Sequence, residues 1–157
     1  MQKAASRVVA SNTLLSRLQI ISTIMLLLLS VQFLVGMVVN LYVKVPSVHP
    51  GAEASDYFVG VVQGLAWVLI HGTLALVVHV VLGLLLFLIA LILIGLAIAS
   101  RRRAWIITSL IGLLGIMAAG FNGASFMNYG HDFSSLLMSI GFLMSAISYM
   151  IEVSILR

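Results

Sequence analysis

The sequence predicts an all-α integral membrane protein, a four-helix bundle with both termini in the cytoplasm and one overlong second helix. Three observations predict it. The 157 residues are 62% hydrophobic and 8% charged, whereas a soluble domain carries about 25% charged residues. Long stretches lack Asp, Glu, Lys and Arg altogether, and about 20 such residues suffice to cross a hydrocarbon core of ~30 Å as a helix. The basic residues sit just outside those stretches, at alternate ends.

The whole chain, 1–157, reads as a single transmembrane domain, with spans near 18–43, 66–99, 104–125 and 133–154 and too little remaining chain for a soluble domain. The first span follows a basic start that resembles a signal peptide. Its apolar run is too long for one, so helix one is expected to be a retained anchor. Residues 1–17 are expected to lie along the headgroups, with Val8, Val9, Leu14 and Leu15 towards the bilayer and Lys3, Arg7 and Arg17 towards anionic lipid. A Lys44–Asp56 loop with Pro46 and Pro50 ends the span.

From Tyr57 to Ser100 no charged residue occurs, and as one helix this run would be roughly 66 Å long. Splitting it into two spans would move Arg101, Arg102 and Arg103 to the other side. The expectation is therefore one long, tilted helix over 66–99 with an interfacial lead-in at 56–65, joined near Gly60 and Gly64, where a break is inexpensive. The arginine triplet separates it from the third span, and an Asn128–Asp132 turn separates the third from the fourth. Lys3, Arg7, Arg17, Arg101, Arg102, Arg103 and Arg157 then share one side and Lys44 alone takes the other, which places the first group in the cytoplasm of a cell membrane. Trp67 and Trp105 are expected in the two aromatic belts. Gly115, Ala119 and Gly123 on helix three, and Gly141, Ser145, Ser148 and Glu152 on helix four, form stripes that permit close approach of these helices.

Polar groups at hydrocarbon depth are costly unless paired, so they mark candidate sites. His71 and His79 lie on the second helix, about 12 Å apart along its axis and about 80° apart around it, and cannot share one metal ion. Either is a candidate axial ligand for haem b, with His71 and His131 as the bis-histidine pair at the outer interface and Asn40 and Asn122 supporting the ligands. The alternative is a neutral histidine bonded to a neighbouring helix. His49, Met127, His131 and Asp132 form a candidate copper site of imidazole, thioether and carboxylate. The alternative there is a hydrogen-bonded turn in which Asn122 and Asn128 cap helix ends and glycines supply positive φ. Glu152 is expected at the inner interface, reaching water or Arg157; deep burial would instead make it a proton-relay candidate.

The chain has no cysteine, which removes disulfides, thiolate metal sites and cysteine nucleophiles. Hydrolase, metalloprotease, phosphate-loop and dinucleotide motifs are absent. The basic residues are spent on topology, so nucleic acid is not an expected partner. At Gly36-Met37-Val38-Val39-Asn40-Leu41-Tyr42-Val43 and Asn122-Gly123-Ala124-Ser125-Phe126 the chain resembles small four-span prokaryotic membrane proteins, a likeness that implies the fold and no activity. In its four helices with intramembrane histidines it is similar to b-type cytochrome membrane subunits, which implies haem. The expected function is a non-enzymatic subunit or scaffold of a membrane complex, with lipid and a membrane-protein partner or a second copy of the chain as neighbours. A haem-binding electron-transfer protein and a small transporter or channel component are the alternatives.

Overall fold

A computed structural model describes the backbone of residues 2–155 and the side chains of residues 13–154. It contains five helices: α1 (Gln2–Tyr42), α2 (Tyr57–His71), α3 (Leu74–Ser100), α4 (Arg103–Tyr129) and α5 (Asp132–Ile155). Four of them are long and apolar enough to cross a membrane, at Thr13–Tyr42, Leu74–Ser100, Arg103–Tyr129 and Asp132–Ser154. The side chains of Lys3, Arg7, Val8 and Val9, and the whole of Arg157, lie outside the described residues.

The single helix expected over 66–99 is two helices. α2 ends at His71 and α3 begins at Leu74, because Gly72 and Thr73 are both extended, with ψ of 155° and 153°. The Gly72 amide still donates to Val68 O at 2.8 Å, and a Cβ on Gly72 would stand 2.5 Å from that same oxygen. Glycine therefore permits the abrupt exit there, and Thr73 takes the N-cap position of α3. Gly60 and Gly64, the expected break, lie inside α2 and are buried. They are small because Gly51 and Asn128 press against them. The 15 residues of α2 extend about 22 Å, short of a bilayer core. Asp56 starts α2 as its N-cap, accepting from Val59 N at 2.9 Å.

α1, α3, α4 and α5 enclose one apolar core. One stripe of buried positions recurs on each: Leu18, Ser22, Met25 and Leu29 on α1; Leu86, Ala90, Leu93 and Ala97 on α3; Trp105, Ser109, Gly112 and Ile116 on α4; Gly141, Ser145, Ser148 and Glu152 on α5. Each set steps by four, three and four residues, the 3.5-residue period of left-handed helix packing. Trp105, expected in an aromatic belt, is 1% exposed and belongs to this core.

The most extensive contact is between α4 and α5, as the small-residue stripes suggest. A Cβ on Gly141 would meet Ala119 N and Gly115 O, each at 2.7 Å, and Gly112 leaves room for the Tyr149 ring. Ser145 adds a hydrogen bond from its hydroxyl to Gly112 O at 2.9 Å. α4 turns into α5 at Gly130, whose φ of 67° is the left-handed C-cap conformation that glycine accepts without a Cβ penalty. Arg101 adopts the same conformation, φ 56°, after α3.

Candidate functional site

Two polar assemblies lie at opposite ends of the helices. One is at the end marked by Arg101–Arg103, where Glu152 is 0% exposed. Three hydroxyls from two other helices surround its carboxyl group. Ser22 of α1 donates to Oε2 at 2.5 Å, Ser109 of α4 donates to Oε1 at 2.5 Å, and Thr108 reaches Oε1 at 3.1 Å. Such short O–H···O contacts have the length of charge-assisted hydrogen bonds. Thr108 Oγ1 is also 2.9 Å from Ala104 O and 3.2 Å from Trp105 O. Tyr149, which interacts with this carboxyl group, and Trp105 of the core are buried with their O–H and N–H unpartnered among the described residues.

This burial corrects the water contact expected for Glu152, while Arg157, its expected partner, lies outside the described residues. The 4-3-4 stripe of α5 carries Glu152 inward with Gly141, Ser145 and Ser148, and the matching stripes of α1 and α4 bring serines to the same level. Ser22 and Ser109 each look unremarkable in sequence. Only the shared stripe register, Ser22 on α1 and Ser109 on α4 opposite Glu152 on α5, could have revealed the cluster.

The second assembly joins the Val43–Asp56 loop and α2 to the end of α4. His49 is buried and stacks on Trp67, centroids 4.9 Å apart. Its Nδ1 lies 3.0 Å from Pro50 O and its Nε2 3.4 Å from Met127 O. A neutral imidazole has one N–H and can donate to only one of them. Tyr129 donates to Ala54 O at 3.0 Å, and Glu53 N to Asn128 O at 3.2 Å. Asn128 is 4% exposed, and its side-chain amide lies against Gly60 and Gly64 without a hydrogen bond. Asn122 bonds within α4, to Ala118 O at 2.8 Å, and caps no helix end.

Tyr57 ties α2 to α4 by donating to Phe121 O at 2.7 Å. Burial, with a smaller contribution from Tyr129, pushes its hydroxyl above the ordinary value of 10.0. The folded state thus holds this proton more tightly than the unfolded chain. The stabilisation is complete below about pH 10 and disappears as pH rises through the higher folded value. Trp67 fluorescence should report an alkaline loosening of α2 that is absent in Tyr57→Phe. That variant should itself lose about 1 kcal/mol of stability.

The candidate haem ligands occupy three separate environments. His71 is exposed and stacks on Trp67, centroids 6.3 Å apart, and His131 is exposed and stacks on Tyr129. His79 faces α1, where its ring lies against Gly36 and its Nε2 is 3.5 Å from Gln32 Nε2. Gln32 also donates to His79 O at 3.2 Å. No hydrogen bond or ring contact joins any two of these histidines among the described residues. Asn40 is exposed near the end of α1. Of the candidate copper residues, His49 and Met127 meet, through the Met127 carbonyl, while Asp132 is exposed at the start of α5. No three His, Asp or Glu side chains converge to hold a metal ion among the described residues. No known protein family, curated protein or solved structure matches this chain.

Proposed function

We propose that the chain is a non-enzymatic subunit or scaffold of a membrane complex, crossing the cytoplasmic membrane four times as a four-helix bundle with both termini in the cytoplasm. Arg17, Arg101, Arg102 and Arg103 mark the cytoplasmic end, and Lys44 lies at the other. α2 then lies at the outer surface as a lid held by His49, Tyr57 and Tyr129.

The observation that carries the subunit reading is the uneven enclosure of α1. Leu18, Ser22, Met25 and Leu29 are buried, but from Ser30 to Tyr42 no residue is. That outer half presents Phe33, Leu34, Met37, Val38 and Leu41, together with the exposed Asn40 amide, a group that favours a protein neighbour over lipid. A photoreactive residue at Leu34 or Val38 in native membranes should give a protein adduct of defined mass, and one at exposed Ile92 on α3 should not. Lipid adducts alone at all three positions would contradict the reading.

A further inference from the structure

The carboxyl group of Glu152 is enclosed by hydroxyls that suit either of its protonation states. Ser22 and Ser109 have no other hydrogen-bond acceptor among the described residues, so both donate to the carboxyl oxygens whichever state it is in. Thr108 differs from them. Its single hydroxyl hydrogen has three acceptors in reach, Glu152 Oε1 at 3.1 Å, Ala104 O at 2.9 Å and Trp105 O at 3.2 Å. With Glu152 ionised, Thr108 can donate to Oε1 as the third hydrogen bond to the anion. With a proton on Oε1, the new O–H can donate to Thr108 Oγ1, while the Thr108 hydrogen turns to Ala104 O. The three hydroxyls and the acid O–H each keep an acceptor in both arrangements, and no heavy atom has to move.

From this geometry we propose that Glu152 is a reversible proton-binding site inside the helix assembly, with the Thr108 hydroxyl as its switch. One proton from water joins carboxylate Oε1 on uptake and returns to water on release, and no other bond changes. Thr108 is half-buried, whereas Ser22, Ser109 and Glu152 are buried, so the proposed route for the proton passes Thr108, the most open side of the cage, from the Arg101–Arg103 end. Tyr149 on α5 is the other titratable group that interacts with the carboxyl, and Trp105 on α4 belongs to the adjoining apolar core. α1 contributes Ser22, and the stripe that α3 turns to the core, Leu86, Ala90, Leu93 and Ala97, holds no titratable group. Arg17, Arg101, Arg102 and Arg103 are exposed and form no ion pair with Glu152 among the described residues.

A proton fits this cage better than a metal cation. Oxygens that share a cation at about 2.0–2.6 Å each stand well apart, whereas the two serine oxygens are 2.5 Å from the carboxylate, which leaves space for a hydrogen and nothing larger. Proton binding at Glu152 does not depend on whether the chain serves as a subunit.

Glu53 and Glu152 are the only glutamates of the chain, which makes the test selective. Full-length Glu53→Gln protein, labelled with carboxyl-¹³C glutamate and held in lipid nanodiscs, is titrated by NMR and infrared spectroscopy between about pH 4 and pH 10. The expected result is one reversible titration with helix content unchanged. Ser22→Ala and Ser109→Ala, each of which removes a hydrogen bond to the anion, should tighten proton binding about tenfold or more. Thr108→Val should shift the infrared bands of the acid form, and Thr108→Ser should restore them. The proposal is overturned by a single protonation state throughout, by a titration that accompanies unfolding, or by unchanged titration in both serine variants. A midpoint that moves with sodium chloride and not with choline chloride would assign the cage to a cation instead. If the variants fail to fold, the wild-type carboxyl titration still decides.

Discussion

Gly115→Leu should drive α4 and α5 apart and cost more stability than any other single change in the spans. A Cβ on Gly115 would meet Gly141 O and the Ser145 backbone N at 2.6 and 2.9 Å, and it would also strike the Ser145 hydroxyl. Backbone cannot turn aside as a flexible side chain can, so the helices must separate. Overpacking costs about 1–3 kcal/mol even where side chains adjust, and occasionally more. Here about 3 kcal/mol or more is expected, because the same helices also present Gly112 to Tyr149 and Gly141 to Ala119. In lipid there is little hydrophobic drive to restore the contact once close packing is lost. Gly120→Leu is the control, since a Cβ on Gly120 meets nothing within 4 Å. Reversible unfolding in bicelles should show a large loss for the first variant and almost none for the second.

Glu152→Ala should be the second most damaging change, and its partners should show why. It leaves the Ser22 and Ser109 hydroxyls without acceptors and opens a cavity among α1, α4 and α5. Loss of a buried side chain with orphaned donors costs about 2–4 kcal/mol. Ser22→Ala alone should cost less, about 1–2 kcal/mol, and in the Glu152→Ala background it should cost almost nothing. Such coupling, measured by a double-mutant cycle, is expected because the Ser22 hydroxyl has Glu152 as its hydrogen-bond acceptor. Additive losses would mean that α1 is held by apolar packing alone.

These two interfaces were legible in the sequence to different degrees. The glycine and alanine stripe of α4 could be read directly, because small residues at a spacing of four have one common use in apolar helices. The four long apolar helices were legible for the same reason, as uninterrupted runs between charges. The division of α2 from α3 was not. Gly72-Thr73 is a short signal inside an apolar run, and Gly60 and Gly64 are stronger breakers by composition that tertiary contact with Gly51 and Asn128 holds inside a helix. The Glu152 cluster was hidden because its serines are common residues, and their meaning depends on the register of three helices. Sequence reasoning drew attention to His71 and His79 at the other end. The structure finds His71 against Trp67 and His79 against Gly36 and Gln32 of α1.

In the proposed topology four helices cross the membrane and α2 does not. Because the chain lacks cysteine, single cysteines can be placed at Ser55 before α2, Thr73 after it, Arg102 before α4, and Ser154 near the end of α5. A membrane-impermeant maleimide applied to intact cells should label Ser55→Cys and Thr73→Cys, and reach Arg102→Cys and Ser154→Cys only after permeabilisation. Labelling of Ser55→Cys and Thr73→Cys from opposite sides would show that α2 itself spans the bilayer and would overturn this topology.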